Sequence, residues 1–386
     1  MMEDWQNGGF GLYIHWPFCQ SKCPYCDFNS HVAATIGQSD WERAYLSEIE
    51  RVSRETSGRV LNTVFFGGGT PSLMDPELVN SILSKVRDCW TLSNDVEITL
   101  EANPTSVESG RFQGYRDAGV NRISMGIQSL KDEDLKRLGR LHSVAEAQKA
   151  FDIARSTFDR VSFDLIYARQ GQTIDAWRSE LRDALSMAID HLSLYQLTIE
   201  QGTAFGDRYN RGQLRDLPSD DSAADMYFVT QDECEKAGMP AYEVSNHARE
   251  GSESRHNLIY WRYGDYVGIG PGAHGRLTLD GKKYAIDTPL APTSWLQSVA
   301  EKGHGENPRE ILSGYDQAVE YLMMGLLITE GIDLNRLSSL LGNEFTFKNK
   351  FLIEDGFVST ENGRLSITGK GRPVLNAIIR ELIPDN

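Results

Sequence analysis

Three cysteines crowd into one short run, Cys19-Gln20-Ser21-Lys22-Cys23-Pro24-Tyr25-Cys26. A [4Fe-4S] cube normally takes four thiolates, so a C-x3-C-x2-C loop grips three irons and leaves the fourth open to an outside ligand. The amino and carboxylate groups of S-adenosylmethionine (SAM) can chelate such an iron. The competing chemistry is a zinc site completed by His15 or His31, although zinc knuckles pair their ligands as C-x2-C and no second half is present. Cys89 and Cys234 stand far away, and an odd total of five cysteines argues against a disulfide framework. Both read as small buried apolar residues.

The elements that must hold this loop follow from periodicity. Runs rich in β-branched and aromatic residues at 12–16, 63–66, 96–100, 122–125, 161–167 and 192–198 alternate with helical patterns. One helix opens at Asp75-Pro76, a capping residue before a proline suited to the first turn, and carries Leu78, Val79, Ile82, Leu83 and Val86 on one face. Another opens at Thr173 with Ile174, Trp177, Leu181 and Leu185. Six βα units predict an α/β fold, a curved and incomplete parallel (β/α)6 barrel that collects ligands at the C-terminal ends of its strands. The cysteine loop lies at the end of the first strand. Three segments are expected: 1–210 as the barrel, 211–305 as a cover with a Gly-rich run at 264–275, and 306–386 as a small helical, winged-helix-like domain with a hairpin at 357–367.

Other residues with chemical potential fall at successive strand ends. Gly67-Gly68-Gly69-Thr70-Pro71 follows the second strand, and residues without side chains let backbone approach a ligand closely. Glu101 ends the third strand, Gln128 the fourth, Arg140 follows the fourth, and Asp164 lies in the fifth. Carboxylates can accept hydrogen bonds from ribose hydroxyls or an ammonium, and an arginine can pair with a carboxylate. Each alone reads equally as a salt bridge or a cap.

Tyr13-Ile14-His15-Trp16-Pro17-Phe18-Cys19 through Cys26-Asp27-Phe28 resembles the radical-SAM family that contains oxygen-independent coproporphyrinogen dehydrogenases and HemW-type haem chaperones. The resemblance spans most of the chain. It implies a radical-SAM barrel with the cluster on Cys19, Cys23 and Cys26 and SAM held by Gly68, Gly69, Thr70, Glu101, Gln128, Arg140 and Asp164, with Tyr13, Tyr25 and Gln196 as further contacts. One departure is local: relatives commonly read Gly-Leu-Pro-Gly-Gln where Tyr167 is followed here by Ala168-Arg169-Gln170-Gly171-Gln172.

Two functions compete within that family. The enzyme reading is oxidative decarboxylation of coproporphyrinogen III propionates by a 5′-deoxyadenosyl radical; the binding reading is a chaperone that carries haem as cargo to apo-haemoproteins such as respiratory enzymes, with an electron donor for the cluster. The dehydrogenases are understood to carry a fourth cysteine two residues after the third and a longer segment before the motif. Phe28 occupies that position here and twelve residues precede Tyr13. His256-Asn257-Leu258-Ile259-Tyr260-Trp261 matches the H-N-x-x-Y-W signature of the chaperone branch, which implies haem ligation by His256; the plain alternative is a hydrogen-bonded core histidine. A radical-SAM enzyme acting on another substrate stays open.

The formal charge of −16 and the lack of a basic patch exclude a general nucleic-acid binder. Met1-Met2-Glu3-Asp4-Trp5 has no signal-like character and no run is apolar enough to span a bilayer, so a cytoplasmic protein is expected, touching membranes only peripherally through its acceptor.

Overall fold

The computed structural model describes residues 3–33, 36–104, 109–346 and 350–384, so Met1 and Met2 of the N-terminal reading lie outside the described residues. Six parallel strands alternate with helices: β1 (Phe10–Trp16), β2 (Val60–Gly68), β3 (Thr91–Ala102), β4 (Arg122–Gln128), β5 (Arg160–Tyr167) and β6 (His191–Gln196). β1 is buried along nearly its whole length, as a strand covered on both faces must be. Helix α1 (Gln38–Glu55) supplies Trp41, Tyr45 and Ile49 to one face, where Trp41 stacks on Trp295 at 5.6 Å.

Helix α2 (Pro76–Cys89) begins at the expected residue with Pro76 in its first turn and buries all five apolar positions read from the sequence. Asp75 sits at the N-cap, but its side chain makes no capping hydrogen bond and lies 3.7 Å from Arg111 instead. Helices α3 (Ser109–Ala118), α4 (Asp132–Arg137) and α5 (Val144–Thr157) follow, then α6 (Ile174–Met187), which Thr173 caps by accepting from the Ala176 amide.

The segment after β6 departs from the expected cover. After α7 (Ala204–Asn210) and α8 (Asp220–Lys236), β7 (Asn246–Ala248) joins β6 antiparallel. Helix α9 (Arg255–Trp261) then leads into β8 (Asp265–Ile269), which docks parallel on the free side of β1, with β9 (His274–Leu279), β10 (Lys282–Asp287) and β11 (Glu310–Ile311) beyond it. The sheet order is β11-β10-β9-β8-β1-β2-β3-β4-β5-β6-β7. The Gly-rich run is therefore sheet. Its glycines serve close approach: a Cβ on Gly268 would meet the His274 carbonyl oxygen at 2.0 Å.

After helix α10 (Pro292–Lys302), α11 (Gly314–Gly325) and α12 (Leu334–Leu341) pack with β12 (Ile332–Asp333), β13 (Val358–Glu361) and β14 (Arg364–Ile367) around Leu322, Leu337 and Leu365. Two strands of this small sheet form the expected hairpin, turning at Asn362 and Gly363 with positive φ.

Candidate functional site

Cys19, Cys23 and Cys26 line one cavity of about 140 Å³ at the C-terminal ends of the parallel strands. The loop turns through a hydrogen bond from the Cys26 amide to the Cys23 carbonyl at 3.1 Å. Thr70 Oγ1 donates to Cys19 Sγ at 3.4 Å, and Arg140 Nη1 donates to Cys23 Sγ at 3.3 Å. Burial pushes the Cys19 and Cys26 thiols up, so thiolates here need a positive partner. Among the described residues no three His, Cys, Asp or Glu side chains close on a point that would hold a single metal ion. Thiols ranged around a cavity suit a cube, which spreads its thiolates over three irons, and Cys19, Cys23 and Cys26 would hold it. Cys89 and Cys234 do not line this cavity.

The glycine turn braces the loop from behind. The Gly69 amide donates to the Trp16 carbonyl at 2.7 Å and the Thr70 amide to the Phe18 carbonyl at 2.8 Å. A Cβ on Gly69 would meet that Phe18 oxygen at 2.6 Å, and one on Gly68, which stands at φ +110°, would meet the His15 ring at 2.6 Å. Only glycine fits both places.

Glu101, Gln128, Arg140, Asp164 and Tyr25 border the same cavity. Gln128 stands at φ +73° where the β4–β5 register slips, a strained conformation that re-aims the strand end. Arg140 Nη2 donates to the Gly126 carbonyl at 2.8 Å, while its buried Nε has no partner among the described residues. Burial, reinforced by neighbouring Asp164, pushes the Glu101 carboxyl up to about 8 even though the Gly68 amide donates to it. Burial likewise raises Asp164 to about 6 against hydrogen bonds from Ser193 and Ser124. Two half-buried carboxyls with no salt-bridge partner among the described residues suit a cationic ligand such as SAM, which carries an ammonium and a sulfonium.

The departing loop after Tyr167 is built around an ion network. Arg169, buried, pairs with Glu180 at 2.5 Å and Asp134 at 2.9 Å, and Gln172 accepts from the Arg169 amide. Asp164 keeps its place at the cavity.

Tyr13 and Gln196 do not border this cavity. Gln196 ends β6 exposed to solvent. Tyr13 faces a second cavity of about 570 Å³ and hydrogen-bonds His15 Nδ1 at 3.0 Å. The second cavity shares Phe28, Gly68 and Glu101 with the first, and Tyr260, Trp261, Tyr263 and Tyr266 give it an aromatic lining.

His256, which the resemblance implies as a haem ligand, borders neither cavity. Its Nδ1 bonds Thr63 Oγ1 at 2.7 Å and its Nε2 bonds the Tyr260 hydroxyl at 2.6 Å, while the ring stacks on Phe65 at 5.0 Å. The residue is 1% exposed, and burial with the nearby Arg122 charge holds its imidazole down to about 3. Both nitrogens have hydrogen-bond partners, the arrangement of a hydrogen-bonded core histidine.

Sequence reasoning passed over Asn29. Its side-chain amide donates to the Pro271 and Leu290 carbonyls, both at 2.9 Å, tying the cysteine loop to the turn between β8 and β9 and to the segment after β10. No local pattern could announce a partner about 240 residues away.

Comparisons with known proteins agree with this arrangement. The Radical SAM superfamily profile matches residues 13–184 and the HemN C-terminal domain profile matches 312–374. The chain is 38% identical to the bovine (Bos taurus) protein named Radical S-adenosyl methionine domain-containing protein 1, mitochondrial, over 96% of this chain and 87% of that one. It is 36% identical to the Escherichia coli protein named Heme chaperone HemW, over 95% and 96% respectively. Among solved structures, coproporphyrinogen III oxidase (HemN) from Escherichia coli superposes with a TM-score of 0.81 over 97% of this chain and 90% of that one at 21% identity, which speaks to fold alone.

Proposed function

This chain belongs to the radical-SAM family that includes the HemW proteins, and from that membership we propose that it is a haem chaperone, binding a [4Fe-4S] cluster, SAM and haem and delivering haem to apo-haemoproteins. The observation that carries the reading is the pair of adjoining cavities: one lined by three thiols and two unpaired carboxyls, the other aromatic and within the size range of small-molecule sites. When bound, the cluster supplies an open iron for SAM. The protein's own groups do the rest. Thr70 and Arg140 support the Cys19 and Cys23 sulfurs, Glu101 and Asp164 face the cationic ligand, and Tyr13 with the residues around Tyr260 forms an aromatic wall for a porphyrin. Gln196 would need to turn inward to reach SAM.

Within this reading residues 1–210 hold cluster and SAM, 211–305 supply the aromatic wall, and 306–386 close its far side through Glu320 and Met324. Acceptors such as respiratory enzymes and an electron donor for the cluster complete the scheme. No described helix is long and apolar enough to cross a membrane, and work in the cytoplasm with peripheral membrane contact through the acceptor is part of the proposal.

Phe28, exposed between the two cavities, offers no sulfur for propionate chemistry. The test is anaerobic reconstitution with iron and sulfide, then parallel assays of haem uptake, haem transfer and coproporphyrinogen decarboxylation. Haem binding and transfer without decarboxylation is the expected result; robust decarboxylation would move the protein to the enzyme class.

A further inference from the structure

His256 is absent from the lining of the aromatic cavity, and both of its nitrogens are engaged elsewhere. Two histidines border that cavity, His15 and His274. His15 is buried and committed at both nitrogens, to the Tyr13 hydroxyl and the Asn29 carbonyl, each at 3.0 Å. His274 is exposed at the rim, and neither of its ring nitrogens has a hydrogen-bond partner among the described residues.

Its backbone, by contrast, is fixed. His274 opens β9 opposite Asp287, directly after a turn in which Gly270 and Gly272 take positive φ. Thr288 Oγ1 holds both ends of that turn, donating to the Gly270 carbonyl at 2.6 Å and accepting from the Ala273 amide at 2.9 Å, and Asn29 fastens it from the cysteine loop. A rigid main chain carrying an uncommitted imidazole at the edge of an aromatic cavity meets the needs of a ligand for porphyrin-bound iron: a neutral nitrogen lone pair in a set position, with flat surface beside it for the macrocycle.

We infer that His274 is the axial ligand that holds the haem iron in the aromatic cavity, an assignment that rests on the chaperone reading above. The rim position also suits release, since an acceptor's own ligand can reach the iron from solvent without unfolding the site.

The experiment titrates cluster-reconstituted full-length protein with ferric haem and records absorption spectra for wild type, His274→Ala, Tyr266→Phe and Met324→Leu. Tyr266 and Met324 border the same cavity and could supply oxygen or sulfur ligands. The expected result is at least a tenfold loss of haem affinity and an altered Soret band in His274→Ala alone, with free imidazole restoring the wild-type spectrum, a rescue that general misfolding would not allow. Unchanged affinity and spectrum in His274→Ala, or the loss appearing in Tyr266→Phe or Met324→Leu instead, overturns the ligand assignment. Wild-type protein that takes up no haem overturns the chaperone reading and the ligand with it.

Discussion

The cysteine cavity and the aromatic cavity share the wall formed by Phe28, Gly68 and Glu101, yet their polar groups are treated in opposite ways. In the first, Glu101 and Asp164 crowd together without a salt-bridge partner among the described residues, and Arg140 Nε is orphaned. In the second, several polar ends meet one another, since Thr63, His256 and Tyr260 form a chain and Tyr263 and Arg276 both engage Glu320, Arg276 at 2.7 Å, although the Trp261 indole N–H has no partner among the described residues. One cavity is stabilised only when a charged ligand arrives. The other stands as a finished apolar container, where recognition rests on shape and on the few groups left free.

The largest effect that bears on this contrast is loss of the cluster. Replacing Cys19, Cys23 and Cys26 together by Ala should take anaerobically reconstituted protein from about four irons per chain to essentially none, while Cys89→Ala or Cys234→Ala leaves the count intact. Iron analysis decides it. Stoichiometric zinc without iron would break the reading of the first cavity.

Next comes His256→Ala, expected to cost about 2–4 kcal/mol, because it opens a void under Phe65 and strands the Thr63 and Tyr260 hydroxyls. Urea denaturation measures this. A variant of undiminished stability that nonetheless loses haem would return His256 to the ligand role and erase the distinction drawn here.

Asn29→Ala removes two hydrogen bonds that join the cysteine loop to the β8–β9 turn and to the segment after β10, and should cost about 1–3 kcal/mol. Both haem uptake and cluster retention should weaken in this variant. An effect on one cavity alone would show that the shared wall does not couple them.

The smallest effect is a pH slope in cluster-free protein. Glu101, raised to about 8, keeps its proton when folded through a range where the unfolded chain has lost it. The native state then binds more protons than the unfolded state, so stability falls as pH rises from 6 to 8, by up to about 1.4 kcal/mol per unit. Asp164, raised to about 6, titrates mostly below this window. Glu101→Gln should flatten the slope in thermal melts; an equally steep slope in that variant would assign the proton elsewhere.

The two cavities were also unequally legible. Cys19, Cys23 and Cys26 are neighbours in sequence, Gly68, Glu101 and Gln128 each sit where one strand ends and Asp164 lies within the next, so the strand-helix rhythm brings them to one rim. The aromatic cavity draws on β1, α9, β8, β9 and α11, pieces far apart in the chain, and its turn residues looked like a loose cover because glycine is read as a breaker. At 268 the glycine is there because strands β8 and β9 lie too close for a side chain. At His256 local spacing likewise shows that an imidazole stands near a tyrosine, and not that the tyrosine hydroxyl engages its nitrogen.

The pairing of β1 with β8 joins Phe10 to Asp265 across most of the chain. During synthesis the first strand emerges early, but the neighbour that covers one of its flanks is made about 255 residues later, roughly 10–50 s at about 5–20 residues per second. For that interval a nascent chain presents Phe10–Trp16 as an open, apolar sheet border, the kind of border that recruits foreign strands. The haem carrier proposed above would then pass through a stage that calls for an escort of its own, and truncation before residue 265 should yield aggregates in place of a smaller soluble barrel.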